Sequence, residues 1–512
     1  MLRYTVLGSK ILLGLFLFLA AAAAYLPFLE AFALTPAIAF IHRFSITINI
    51  GSDTKTLQPI IFVIPILLLK GLWEYHKKHG IVSLLKSKLA MLVALLVIVD
   101  VISIFTSTAK TSSISGFIAH GMNLAIFITS SIWLKLVSEM LDTATLQKVA
   151  IKLIKTFAIA LIGFTVANTV VSVTQFADCS FSSKGCHVWN EIDKIFPNKL
   201  LVVGHQKFSK KPTVIRAPGF FGDVNFNGMF SLFIVVCSAV MWLVAELLKN
   251  AKGYLPTKEQ RFLLIPIIAG MISFLLNLSR SGILGAGILG IVLSLVILLP
   301  LIKSAEISKE FWKKLGLFAI AFIGGFALLL ALGYAVPLTY KNRQTSLSKE
   351  FISYATQMFN PQENSAQGHA TLFMNAVTIG NQRPLFGMGL GSFGVQFEKI
   401  IAPGGGTNAS PHSTYGLVYA EQGLAGITLY LLVIGYLWYI AIRSSRKLVL
   451  QLLKARKDNT KLSREFYLVY GSKLLLVLVA FGVPFFSVAT ISYYGFFLPM
   501  TWWWGNGELL NQ

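Results

Sequence analysis

The chain has 512 residues, 55% of them apolar and 13% charged, with 44 Lys and Arg against 21 Asp and Glu for a formal charge of +23. A water-surrounded globule carries roughly a quarter charged residues, so this composition describes a membrane protein. The apolar content excludes a disordered chain, and basic residues scattered between long apolar runs, not gathered on one stripe, argue against a nucleic-acid binder.

A helix needs roughly 20 apolar residues to cross the hydrocarbon core of a bilayer. Runs of this kind fall at 10–29, 57–74, 89–106, 114–137, 153–175, 224–247, 262–278, 281–302, 315–337, 412–442, 467–484 and 486–504. They predict an all-α, polytopic transmembrane helical bundle of about twelve spans. The opening run resembles the apolar part of a signal peptide, but the later spans favour a retained first helix. Orientation is read from Lys and Arg, which are retained on the cytoplasmic side during insertion. With the N-terminus inside, the inner loops and the N-terminal tail hold most of the 44 basic residues, while the short outer loops hold Arg43, Lys55, Lys110 and Arg280. Both termini are therefore expected in the cytoplasm. The chain divides into spans one to five (1–175), a first long outer loop (176–223), spans six to nine (224–337), a large outer loop (338–411) and spans ten to twelve (412–512).

The two long outer loops are where chemistry is expected, because loops on a rigid scaffold commonly carry function. In the first, Cys179 and Cys186 could close a disulfide if the segment faces an oxidising compartment, whereas Cys237 reads as a small buried hydrophobe. In the second, Leu347, Phe351, Tyr354 and Met358 recur at helical spacing and 370–379 forms another apolar helix, both expected along the outer membrane face.

Four short stretches at that face carry unusual residues. Arg216-Ala-Pro-Gly219-Phe-Phe-Gly222-Asp223-Val-Asn225-Phe-Asn227-Gly228 sets an arginine before a Gly-rich turn and a helix start, which suits a phosphate; a snorkelling anchor is the plainer explanation. Ser279-Arg280-Ser281-Gly282 interrupts a long apolar stretch, where a charge is costly unless it faces a cavity or reaches the headgroups. Arg383-Pro-Leu-Phe-Gly387-Met-Gly389-Leu-Gly391-Ser-Phe393-Gly394 contains a dinucleotide-like glycine pattern without the βαβ unit that gives it meaning, so its glycines are read as a turn that brings backbone close to a ligand or a helix. Pro411-His412-Ser413-Thr414-Tyr415 places His412 at a helix start, where the dipole favours the neutral imidazole of a general base, or where the residue serves as a cap; Tyr415 comes next on the same face. The sole acidic pair of glycosyltransferase type in an outer loop is Glu191-x-Asp193, and no Cys/His spacing suggests zinc, so neither metal nor cofactor is expected. Asp100 and Glu421 lie within spans, as members of an ion or proton path or as helix-packing hydrogen bonds.

Taken together, in this order, the Arg-x-x-Gly-Phe-Phe-Gly-Asp-x-Asn pattern at 216–225, the Leu-Ser-Arg-Ser-Gly turn at 278–282, the Pro-Leu-Phe-Gly-x-Gly-x-Gly-Ser-Phe run at 384–393 and the His-Ser-Thr-Tyr helix start at 412–415 resemble the O-antigen ligase and polymerase superfamily of bacterial envelope glycan transferases. The resemblance implies a glycan donor on a polyprenyl (undecaprenyl) diphosphate carrier, a lipid-linked sugar acceptor, transfer at the periplasmic face of the inner membrane, and no metal. It implies that Arg216 and Arg280, with Arg383, hold the diphosphate, that His412 removes the acceptor proton, and that Asn225 and Tyr415 support them. Many relatives carry Arg where this chain has His369, and Lys341, Arg343 or Arg383 could stand in for it. A lipopolysaccharide ligase is the first reading and a polysaccharide polymerase the second. A transporter or flippase is the alternative of another class and would depend on Asp100 and Glu421.

Overall fold

The computed structural model describes residues 2–34, 46–50, 53–57, 59–86, 88–142, 146–181, 262–277, 309–335, 337–340, 343–346, 364–403 and 413–457, and separate positions within 188–189, 217–242, 348–356 and at 411. These residues form a helical fold. In chain order the helices are α1 (Leu2–Tyr25), α2 (Phe28–Ala33), α3 (Pro59–His79), α4 (Lys88–Thr106), α5 (Lys110–Asp142), α6 (Gln147–Phe181), α7 (Leu264–Asn277), α8 (Lys309–Ala335), α9 (Asn364–Gly380), α10 (Phe393–Ile400) and α11 (Thr414–Lys457). A 3-10 turn, Ile81–Lys86, joins α3 to α4. Each predicted apolar run that falls on described residues lies on one of these helices apart from its end residues, except 10–29, which crosses the non-helical residues 26–27 between α1 and α2. Runs 281–302, 467–484 and 486–504 lie outside the described residues, and run 224–247 is described only at separate helical positions.

Among the described residues, two helical stretches are long and apolar enough to cross a membrane, Ile159–Asp178 in α6 and Thr414–Tyr436 in α11. Leu13–Tyr25, Met91–Thr106, Leu264–Asn277 and Ala370–Gly380 are shorter apolar helices. Exposed Phe105, Ile159, Ile268 and Ile320 belong to apolar helix faces that would meet lipid.

Two small antiparallel hairpins add to the expected helices: β1 (Ile46–Ile50) pairs with β2 (Asp53–Leu57), and β3 (Pro337–Tyr340) with β4 (Arg343–Ser346). The first has a clear sequence signal. Ile46, Ile48 and Ile50 alternate with Thr47 and Asn49 ahead of Gly51-Ser52, a period of two that a search for long apolar runs passes over.

The described residues form two compact units, one drawn from 1–63, 151–359 and 445–478, the other from 64–150 and 360–444. In the second, α4 and α5 form a helical hairpin. Its turn is tied by Ser107, whose Oγ accepts the Ala109 N–H at 3.0 Å just before α5 and the Ser113 hydroxyl of its first turn at 2.7 Å. At the far end of the hairpin Glu139 accepts from Lys78 at 2.8 Å and lies 2.9 Å from His79, tying α5 to the end of α3. In the first unit, Phe164 of α6 meets Phe230 edge to face at 5.1 Å, and Phe176, Ala217 and Leu276 pack together.

Candidate functional site

The Gly-rich run at 384–393 is backbone docked into a broken helix. α11 is interrupted at Gly423, whose φ of 66° and ψ of −158° are not helical. In an unbroken helix the Leu424 and Ala425 N–H groups would bond to the carbonyls of Ala420 and Glu421. Here they donate instead to Pro384 O at 2.7 Å and Leu385 O at 3.0 Å. The carbonyls so released accept from Met388 N–H at 2.9 Å and Gly389 N–H at 3.0 Å. Two bonds within the helix are thus exchanged for four to the loop, and the buried backbone stays satisfied on both sides.

The glycines permit the approach. Gly387, Gly389 and Gly391 all have positive φ, at 67°, 108° and 69°. A Cβ on Gly387 would collide with the Glu421 carbonyl group, and one on Gly389 would collide with the Ser107 side chain. The reading of this run as a turn pressed against a helix therefore holds, with α11 and the α4–α5 turn as the partners.

Glu421 completes the docking. Its buried carboxylate accepts the Gly391 N–H at 2.7 Å and the Phe393 N–H at 3.0 Å, one on each oxygen. The next residue, Gln422, donates from Nε2 to Asp100 Oδ1 at 2.7 Å, and Asp100 Oδ2 lies 3.0 Å from His120 Nδ1. Ser103 of the same α4 face accepts the Leu390 N–H at 3.3 Å, and Gln396 donates to Thr108 at 2.8 Å. Arg383, expected on a diphosphate, donates from its guanidinium to the Thr106 carbonyl at the end of α4. A cation is favourable at that negative end of a helix.

His412 lies outside the described residues, between buried Pro411 and buried Ser413. The helix start beyond it is well defined. Ser413 caps α11, its Oγ accepting the Gly416 N–H at 3.4 Å and its carbonyl accepting the Leu417 N–H at 3.0 Å. Tyr415 packs edge to face on Tyr430 at 5.7 Å, beside Val418 and Ile434. Helix α9 lies along the same first segment of α11: a Cβ on Gly380 would meet the Tyr419 ring at 2.7 Å, and the Tyr419 hydroxyl donates to Asn381 at 2.7 Å. His369 is in the first half of α9.

Arg216, Asn225 and Arg280 also lie outside the described residues, but their neighbours are fixed within the other unit. Ala217 N–H donates to Leu276 O at 3.1 Å, so the residue after Arg216 is bonded to the helix that ends shortly before Arg280. Gln175 grips Gly219 with both ends of its amide, accepting the N–H at 2.9 Å and donating to the carbonyl at 3.2 Å. Asn227, fully buried, donates to Ala217 O at 3.0 Å and to Ser172 at 3.1 Å, and accepts from Asn168 at 2.7 Å and Ser273 at 3.3 Å. Asn227 belongs to the first of the four stretches singled out in the sequence, whereas Gln175, Asn168, Ser172 and Ser273 are not among them. The available signal is a polar stripe, since Asn168, Ser172 and Gln175 fall at i, i+4 and i+7 in an apolar helix. Asp100, Ser103 and Ser107 make a similar stripe along α4 and its end. Among the described residues no group of His, Cys, Asp and Glu is arranged to hold a metal ion.

Residues 264–431, from α7 to the part of α11 just beyond the break, match the family model described as O-antigen ligase. This domain supports placing the chain with the O-antigen ligase superfamily. The matched segment contains Arg280, His369, Arg383, His412, Tyr415 and Glu421, while Arg216 precedes it. No curated protein matches the chain. The match supports a coarse role: glycan transfer of ligase or polymerase type, on a lipid-linked glycan, by a membrane protein.

The packing makes two substitutions informative. Gly387→Ala adds a methyl group where the backbone of α11 already occupies the space, on a residue with positive φ; it should lower the melting temperature of the purified protein in detergent by several degrees, as a loss of about 1–3 kcal/mol would. Asn227→Ala leaves the Ala217 carbonyl and Asn168 amide without this partner and should destabilise by a similar ~1–3 kcal/mol in the same measurement, while Asn227→Asp, which cannot donate to Ala217, should not restore it.

Proposed function

We propose that this protein is an O-antigen ligase-like glycosyltransferase, which moves a glycan from a polyprenyl diphosphate carrier to a lipid acceptor of the lipid A-core type at the periplasmic face of the bacterial inner membrane. It would do so as a multi-pass bundle of about twelve spans with both termini in the cytoplasm, in keeping with roughly 20 apolar residues per span. The main support is the O-antigen ligase match over 264–431, which contains both Arg280 and His412. The end-to-end arrangement of the second unit supports the orientation. Thr106 and Thr108, at one end of the α4–α5 hairpin, touch Arg383 and Gln396 of the expected periplasmic loop, while Lys78, His79 and Glu139 gather at the other.

In the proposed reaction the acceptor hydroxyl attacks the anomeric carbon of the donor from the face opposite the diphosphate. A C–O bond to the acceptor forms, the C–O bond to phosphate breaks, and the configuration inverts. His412 takes the hydroxyl proton as the bond forms. Arg216 and Arg280, with Arg383, bind the diphosphate and stabilise the negative charge that develops as it departs, so the step needs no metal. The buried network around Gln175 and Asn227 supports this assignment, because it fixes the backbone next to Arg216. Asn225, Tyr415 and His369 take supporting places around the same chemistry.

A polymerase would use the same donor step and pass the chain to another lipid-linked repeat. A transporter would depend on Asp100 and Glu421, yet both carboxylates are engaged in holding a loop and a helix together.

Arg216→Ala, Arg280→Ala and His412→Ala should each reduce transfer to a purified lipid acceptor by about 10²-fold or more, with the protein still in the membrane fraction; near-normal transfer by any one rejects its role. Deletion in the native bacterium should leave bare acceptor on gels of the surface glycolipids while long lipid-linked chains accumulate. Acceptor capped with a single repeat would identify a polymerase, and an unchanged pattern would reject both enzymes.

A further inference from the structure

The break at Gly423 makes residues 414–422 a short helix joined to the rest of α11 through a non-helical residue. A continuous helix would set the direction of its own first turns. Here that direction is set from outside, by α9 packed along the helix and by polar contacts on the last three residues before the break. Ala420 and Glu421 carbonyls accept from Met388 and Gly389, the Glu421 carboxylate accepts from Gly391 and Phe393, and Gln422 donates to Asp100. The first of the two carboxylates belongs to the short helix and grips the loop; the second belongs to α4 and grips the short helix. His412 immediately precedes the Ser413 cap of this helix.

We propose that Glu421 and Asp100 are positioning residues, which hold the short helix at 414–422 that follows His412 in the chain and so act on transfer through His412. The inference rests on the reading of His412 as the base. Both carboxylates are buried and neither is placed on substrate. The acceptor sets are specific. Glu421 needs two acceptor oxygens for two backbone donors, and an amide in its place would turn a donor toward an N–H. Asp100 offers one oxygen to Gln422 and one to His120, whereas an asparagine has a single acceptor oxygen and sets an N–H against one of the two partners. The loop that Glu421 holds also carries Arg383, so a change at Glu421 displaces loop and helix together. Asp100→Asn acts on the helix with less disturbance of the loop.

The test uses full-length protein in detergent or nanodiscs, a purified polyprenyl-diphosphate glycan and a purified lipid acceptor. Asp100→Asn should lower kcat about 3- to 10-fold with donor binding within about twofold of wild type, as expected where geometry and not ground-state binding is lost, while Glu421→Gln, which also loosens the loop carrying Arg383, should lower kcat about 10- to 100-fold and weaken donor binding as well. In a His412→Ala background the same changes should add little to the residual defect, because residues that act through one group are not additive. If His412→Ala transfers normally, the base assignment fails and the positioning inference with it. If His412→Ala is inactive but Asp100→Asn and Glu421→Gln transfer at wild-type rates or add their full effect to His412→Ala, or if Asp100→Asn loses donor binding in step with transfer, the positioning inference alone is overturned. Should Glu421→Gln fail to fold, Asp100→Asn carries the same comparison.

Discussion

The structure of the second unit depends on one exchange of backbone hydrogen bonds. A transmembrane helix that breaks leaves N–H and C=O groups without water to satisfy them, and each one left open in such surroundings costs several kcal/mol. At Gly423 the four groups released by the break are all taken up by the run at 384–389, so an irregular loop becomes the helix's missing partner. The neighbouring contacts are arranged around that exchange. The positive-φ glycines allow backbone to touch backbone, the Ser107 and Ser113 hydroxyls face Gly389 where a bulkier side chain would not fit, and Glu421 gathers the two N–H groups at the far end of the loop.

The first unit solves a related problem with side chains. At Gly219 the backbone is paired by Gln175, whose single amide supplies the donor and the acceptor that a neighbouring strand would otherwise offer. Asn227 sits at the centre because its amide both donates and accepts, which lets it satisfy a carbonyl, a hydroxyl and a second amide at once. Such fully partnered polar networks in an apolar surrounding fix one geometry where apolar packing would admit several. In both units, then, these buried polar groups act as anchors. They hold the backbone beside the residues proposed to meet the diphosphate and the acceptor.

Much of this is legible in the sequence, and the remainder is hidden for physical reasons. The helical class is carried by the length of the apolar runs, and α4, α5 and α6 each contain a predicted span and extend beyond it. The glycines at 387, 389 and 391 can be read as a close backbone approach, but their partner cannot, because α11 reads as one uninterrupted apolar helix through Gly423. Asp100 and Glu421 are visible as costly residues, yet composition cannot distinguish an ion path from a hydrogen-bond anchor; that distinction needs Gln422 at 2.7 Å and the loop N–H groups at 2.7 and 3.0 Å. The hairpins and the Asn168, Ser172 and Gln175 stripe escape a search for long apolar runs, since their signals have periods of two and about 3.6.

Backbone amide hydrogen exchange on the folded protein bears on the broken helix without an intermediary, since it reports the bonds of Leu424, Ala425, Met388 and Gly389 separately. All four amides should be protected, and Glu421→Gln should raise the exchange of all four together. Protection of Leu424 and Ala425 with free exchange at Met388 and Gly389, or an unchanged Leu424 and Ala425 when the loop is loosened, would describe a continuous α11 with an undocked loop and would contradict the exchange of bonds at Gly423.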